Sequence, residues 1–238
     1  MMTTQEIKKT ARIAGLLYLI LIISGIFSYM FVTSRLILPG DPATTIKNIM
    51  ASESLYVSGI VAWLISETVF ILLVYFLYKL LKPVRENLAF LMVMFVLVAV
   101  PIAFINELNK FAALLLLSGA DYLTAFAVDQ LHALVPLLLD LHEYGVHING
   151  MFFGLWLLPL GYLVFKSGYI PRIIGILLMI GWFGYMLDFF TFLLLPDFNA
   201  AIEPVFQILG IGEFLLMFWL LIKGVNVEQW NKRALESV

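Results

Sequence analysis

The chain has 238 residues, of which 63% are hydrophobic, 15% aromatic and only 13% charged, with a mean hydropathy of +1.02. A soluble domain carries about 25% charged and about 45–50% apolar residues, so this composition excludes a soluble globular domain, a disordered chain and a collagen. The absence of cysteine excludes disulfides, thiolate metal sites and a cysteine nucleophile, and a net charge of −2 excludes the basic footprint of a nucleic-acid partner.

A helix needs about 20 mostly apolar residues to cross the hydrocarbon, where backbone polar groups must bond to one another. Six segments qualify, at about 13–34, 55–78, 87–106, 144–165, 173–196 and 204–222. The first follows Lys8, Lys9 and Arg12 as a signal peptide would. Its run is longer than a signal core, and Phe31-Val-Thr-Ser-Arg35 is no small-x-small cleavage site, so it is expected to stay as an anchor. The turn Pro39-Gly-Asp-Pro42 then predicts a short interfacial helix over 41–54. The second span carries Glu67 as its only charge, and the third carries none.

The connection 107–143 contains apolar runs at 111–117 and 131–141, each too short to span. Short extracytoplasmic helices are expected there, either prolonging spans three and four or dipping back into the outer leaflet. The fourth span holds His147, the fifth Asp188 and the sixth Glu213; the tail from Val227, with Trp230, reads as an interfacial helix on the inner side. Pro101 and Pro159 allow local bends in spans three and four.

Eleven of the fourteen lysines and arginines fall on one side of these spans, in the N-terminal segment, the two short turns with Pro83 and Pro171, and the C-terminal tail. Cytoplasmic loops hold such an excess. The expected fold is therefore an all-α, multi-pass protein of the cytoplasmic membrane: a single polytopic domain over 1–238, six transmembrane helices as three hairpins, both termini cytoplasmic. A weak internal echo joins Arg12-Ile-Ala-Gly-Leu-Leu to Arg172-Ile-Ile-Gly-Ile-Leu, at the starts of the first and third hairpins. Six matched residues of common types are read as chance.

Ionisable groups inside a span cost about +2.5–3.5 kcal/mol on insertion scales and mark functional candidates. Glu67, Asp188 and Glu213 have no lysine or arginine beside them in the hydrocarbon unless Lys110 folds inward, so each must be protonated or meet a histidine, metal or ligand cation. At about 1.5 Å per residue they lie roughly 18, 12 and 14 Å below the outer ends of their spans. On the fifth span Gly181, Gly184, Tyr185, Asp188 and Thr191 recur every three or four residues, a small and polar stripe that faces protein. The alternative role for such acids is a protonated carboxyl bonded to neighbouring backbone.

All three histidines lie between 132 and 147. Asp129, His132, Pro136, Asp140, Glu143 and His147 share one helical face, whereas His142 points elsewhere. This face is either the wet side of an interfacial helix or a ligand row, in which Asp140, Glu143 and His147 could hold zinc, with Asp188 or Glu213. His142-Glu-Tyr-Gly-Val-His147 has one residue too many for a zinc-protease helix, and Gly150-Met-Phe-Phe-Gly154 is a helix-packing spacing.

Several short motifs run the length of the chain: Arg12-x-x-Gly15-Leu-Leu-Tyr18, Pro39-Gly-Asp41, Asn48-Ile-x-Ala51-Ser-Glu-Ser, Leu80-Leu-Lys-Pro83, Leu116-Leu-Ser-Gly119-Ala-Asp121, His142-x-Tyr-Gly145, Phe152-Phe-Gly-Leu155, Lys166-Ser-Gly168-Tyr-x-Pro171-Arg and Gly184-Tyr-x-x-Asp188. In these the chain resembles a bacterial membrane family catalogued as a domain of unknown function, family four-three-eight-six. The resemblance implies a polytopic bacterial protein of the cytoplasmic membrane and carries no chemistry with it.

The leading functional expectation is a non-enzymatic site: an acid-lined intramembrane cavity open to the outer side, formed by Glu67, Asp188, Glu213, His147 and Tyr185. It would bind a proton, a cation, a small solute or a membrane lipid, without a cofactor, and would transport if the cavity alternates. The alternatives are a zinc-dependent lipid hydrolase using Asp140, Glu143 and His147, and a structural or accessory membrane protein.

Overall fold

Long apolar runs separated by Pro- and Gly-bearing turns leave the backbone little choice but helices. The computed structural model describes residues 2–236, with the side chains of 200 and 203–208 outside the description. Among the described residues there are helices and turns and no strand. In order they are α1 (Thr4–Ile26), a π-helical stretch Phe27–Thr33 leading into α2 (Ser34–Leu36), α3 (Pro42–Ala51), α4 (Glu53–Leu81), α5 (Glu86–Leu117), a 3₁₀ turn Asp121–Leu123, α6 (Val128–Ser167), α7 (Arg172–Leu194), α8 (Pro196–Leu209), α9 (Ile211–Phe218) with a π-helical end Trp219–Lys223, and α10 (Val227–Glu236).

Five helices among the described residues are long and apolar enough to cross a membrane: Thr4–Leu36, Glu53–Leu81, Glu86–Leu117, Val128–Ser167 and Arg172–Leu194. They contain the first four expected spans, and the fifth except for its last two residues, since Pro196 begins the next helix. The sixth, 204–222, is divided, since α8 ends at Leu209, Gly210 forms a turn and α9 starts anew. Residues 204–208 of that expected span have side chains outside the description.

The apolar runs of 107–143 prolong the helices of spans three and four, one of the two expected forms, and make no separate short helices. The run 111–117 is the last part of α5, and 131–141 lies within the 40-residue α6, which passes through Pro136 unbroken as a helix. Counting apolar residues measures the hydrocarbon a helix must cross; a helix continues for as long as its side chains find a face to bury. Only Asp121–Leu123 makes a short element there.

The expected helix after Pro39-Gly-Asp is α3. Asp41 caps it, its Oδ1 accepting from the Thr44 amide at 3.0 Å, and Pro42 sits at the first helical position. The Thr44 hydroxyl and amide hold the Asp41 carboxyl below its ordinary range.

The chain divides into two compact units. The first comprises residues 1–20, 69–100 and 147–238. Its buried aromatic centre is Trp156, with Tyr18 at 6.2 Å between ring centroids and Phe70 edge-on at 4.8 Å. Glycines set the helix spacing. A Cβ on Gly15 would stand 2.5 Å from the Leu221 nitrogen, and one on Gly175 would stand 2.6 Å from the Gly161 carbonyl. These are the two glycines of the echoed Arg-Ile-x-Gly pieces, so the echo has a packing reason: each marks a close backbone approach. The tail helix α10 is docked, with Trp230 buried and its Nε1 donating to the Leu80 carbonyl at 2.9 Å, the same oxygen that takes the Tyr169 hydroxyl at 2.7 Å.

The second unit comprises residues 21–68 and 101–146. Its core gathers Val32, Leu36, Ile46, Ile49, Tyr56, Ile60, Ala113, Val135 and Leu139, so α3 packs its apolar side inward. Ser66 donates to the Leu21 carbonyl at 3.0 Å, and the Tyr56 hydroxyl to the Lys110 carbonyl at 3.2 Å.

Candidate functional site

In the first unit the small residues of α7 do two things. Gly181 and Gly184 are buried against Leu209, which draws the end of α8 onto α7. They also leave Tyr185 and Asp188 on the protein-facing side, as the stripe predicted. Gly212 completes the arrangement: its Cα lies so close to the Leu177–Leu178 backbone of α7 that a Cβ would come within 2.8 Å. Glu213 follows it directly and is thereby held inside the unit.

Each acid here has found a partner. Asp188 Oδ2 lies 2.9 Å from His147 Nδ1, and Asp188 Oδ1 accepts from Asn199 Nδ2 at 3.0 Å. The same Asn199 amide donates to Thr191 Oγ1 at 2.8 Å, and the Thr191 hydroxyl donates to the Leu187 carbonyl at 2.8 Å. The His147 ring is stacked on Phe192, with centroids 3.6 Å apart and planes 13° apart. Because an ionised carboxylate only accepts, Nδ1 of a neutral imidazole carries the hydrogen toward Asp188 and Nε2 is the acceptor. Phe192 and Asp188 fix the ring on two sides, and the side chains are 18% exposed at His147 and 21% at Asp188.

Glu213 Oε2 accepts from the Tyr18 hydroxyl at 2.7 Å. Tyr185 lies close enough to feel the charges of both Glu213 and Asp188. The first unit thus holds two bonded pairs, Tyr18 with Glu213 and His147 with Asp188, with Tyr185 in electrostatic range of both carboxyls. Of the expected site residues, Asp188, Glu213, His147 and Tyr185 are brought together. Tyr18 and Asn199 escaped sequence reasoning, although Tyr18 closes the motif Arg12-x-x-Gly15-Leu-Leu-Tyr18.

Glu67 belongs to the second unit. It is 3% exposed, and its Oε2 has no hydrogen-bond partner. Lys110 does fold inward, yet it meets Glu107 and none of the three span acids: Lys110 Nζ is 3.3 Å and His142 Nε2 is 2.9 Å from the same Glu107 Oε1. Asn106 Nδ2 donates to the His142 carbonyl at 2.9 Å, and its side chain occupies the space a Cβ on Gly145 would need. Gly145 of His142-x-Tyr-Gly145 is therefore a seat for Asn106. Glu107 stands at the start of the connection 107–143 expected from the sequence, yet it is 1% exposed.

The alternative zinc ligands fare differently. Asp140 and Glu143 are exposed, and His147 is engaged by Asp188. Among the described residues no three histidine, aspartate or glutamate side chains stand together as a metal requires.

The profile of the family described as Domain of unknown function (DUF4386) matches residues 13–224. The chain belongs to this family. It is also similar to a protein of Archaeoglobus fulgidus described as an uncharacterized protein, 34% identical over 153 residues, which cover 64% of this chain and 75% of the relative. No solved structure matches the chain.

Proposed function

We propose that this is a six-span protein of the cytoplasmic membrane, both termini inside, that takes up a proton or a small cationic solute on the row Tyr18, Glu213, Tyr185, Asp188 and His147, and passes it across when access to that row alternates. The observation that carries the reading is the His147–Asp188 pair at 2.9 Å, in the same unit as the Glu213–Tyr18 pair and with Tyr185 in electrostatic range of both acids. Intramembrane carboxyls are expensive, and here they are spaced so that adjoining hydroxyl and imidazole groups can exchange protons with them. The imidazole is the natural entry point because Asp188 orients it and its two nitrogens can pass a proton from one side of the ring to the other. The lysine and arginine asymmetry supports the orientation. The break at Gly210 beside Glu213 supports alternation, since interrupted helices near a midplane acid are a common place for such movement.

Purified protein in liposomes with an entrapped pH dye, under an imposed proton gradient, tests this. Wild-type vesicles should acidify faster than empty ones, and Asp188→Asn and Glu213→Gln should each remove the difference. Equal rates in wild-type and empty vesicles, or full rates in both variants, would refute the reading.

A further inference from the structure

The lysine- and arginine-rich end of the first unit carries an apolar groove that takes no part in either bonded pair. α7 begins there at Arg172, and the π-helical end of α9 stops there at Lys223. Between them lies a groove of about 390 Å³, with Ile173, Phe218, Trp219 and Ile222 in its walls and Pro171 and Lys223 lining it as well. That volume falls within the range of ligand pockets, about 300–1,000 Å³. No part of the described chain fills it, for Ile173 is 58%, Phe218 49% and Ile222 65% exposed. In a membrane such walls meet acyl chains, and the charge at the end of the groove decides which lipid is preferred.

The one charged residue that lines the groove is Lys223, which is exposed and has no ion-pair partner among the described residues. More positive charge stands on the same unit. Arg172 lies between the lining residues Pro171 and Ile173 in the chain, and its guanidinium carbon is 5.9 Å from the centre of the Phe165 ring; Lys166 Nζ is 5.9 Å from the same ring. Neither meets a carboxylate among the described residues. A zwitterionic lipid would bring an ammonium of its own into this field, whereas an anionic lipid brings only negative charge.

We propose that this groove holds one anionic phospholipid, with an acyl chain along Ile173, Phe218, Trp219 and Ile222 and the headgroup phosphate on the Lys223 ammonium. Arg172 and Lys166 add to the attraction without having to touch the lipid. Lysine serves phosphate as a point charge, and each lysine or arginine at a membrane surface strengthens the attraction to anionic lipid by about fivefold.

Trp219 reads the occupant directly. The full chain is reconstituted in brominated phosphatidylcholine, whose acyl chains quench tryptophan, and unbrominated phosphatidylglycerol or unbrominated phosphatidylcholine is titrated in. The part of the fluorescence that Trp219→Phe removes reports the groove. Phosphatidylglycerol should restore that part at about a fivefold lower fraction than phosphatidylcholine does. Lys223→Gln should bring the two titrations together, and Lys47→Gln, which removes an exposed lysine of the second unit, should leave them apart. The readout involves no flux, so it stands or falls apart from the transport reading. Coinciding titrations in the wild type overturn the proposal, as does a preference that survives Lys223→Gln or one that Lys47→Gln abolishes equally. If Lys223→Gln is not recovered folded, Lys223→Met, which keeps the apolar stem, takes its place with the same two outcomes.

Discussion

Removing the Tyr18 hydroxyl isolates a single bond of the proposed row. Tyr18→Phe keeps the ring that lies 6.2 Å from Trp156 and deletes only the donor 2.7 Å from Glu213 Oε2. A hydrogen bond to an ionised group contributes about 1.5–3 kcal/mol, whereas interhelical hydrogen bonds in a membrane bundle average roughly 0.6 kcal/mol. With Glu213 ionised, at alkaline pH, the bond belongs to the first class, so Tyr18→Phe should there cost about 1.5–3 kcal/mol. In a Glu213→Gln background, where the acceptor is neutral, the same change should cost about 0.5–1 kcal/mol. Reversible unfolding in mixed micelles, run as a double-mutant cycle, measures the difference. A coupling of about 1 kcal/mol or more is expected; effects additive to within about 0.3–0.5 kcal/mol would show that Tyr18 and Glu213 do not act together.

Three further outcomes are expected. Gly175→Ala pushes a Cβ against the Gly161 carbonyl and should cost about 1–3 kcal/mol by overpacking, read as lower Tm and yield, whereas Gly150→Ala, where nothing lies within 4 Å, should be neutral. Trp230→Phe removes the donor to the Leu80 carbonyl, yet the Tyr169 hydroxyl still satisfies that oxygen, so the loss should stay near about 0.5–1.5 kcal/mol in the same assay. Asp41 is held ionised below its ordinary pKa of 3.8, so its cap on α3 is fully present above that value and disappears as pH falls through the lowered one. Amide exchange at Thr44 should accelerate in that acid window, and Asp41→Asn, which retains an acceptor, should flatten the dependence.

The hydrocarbon thickness is why most spans could be read in the sequence: any run that crosses it must be apolar for about 20 residues, and the five long helices coincide with five of the six expected runs. Asp41 and Pro42 announced α3 by a capping rule that acts locally, and the period of Gly181, Gly184 and Asp188 announced the buried face of α7. What escaped was whatever depends on partners distant in the chain. The pairing of Glu107 with Lys110 and His142 was missed because nothing in the sequence says that α5, continuing to Leu117, brings Glu107 against His142. Tyr18 gave no signal because a tyrosine within an apolar run reads as one more hydrophobic residue until a carboxyl arrives opposite it. The close approach at Gly15 was visible only as an echo of Gly175, too short to interpret without the backbone at Leu221.

The central claim is that carboxyls in this row change their protonation inside the membrane protein. Infrared difference spectroscopy of the reconstituted chain across a pH step reads that change as carboxyl C=O bands. The account predicts bands that survive limited hydration, with one lost in Asp188→Asn and another in Glu213→Gln. A pH step that yields no carboxyl band, or bands that remain in both variants, would contradict it.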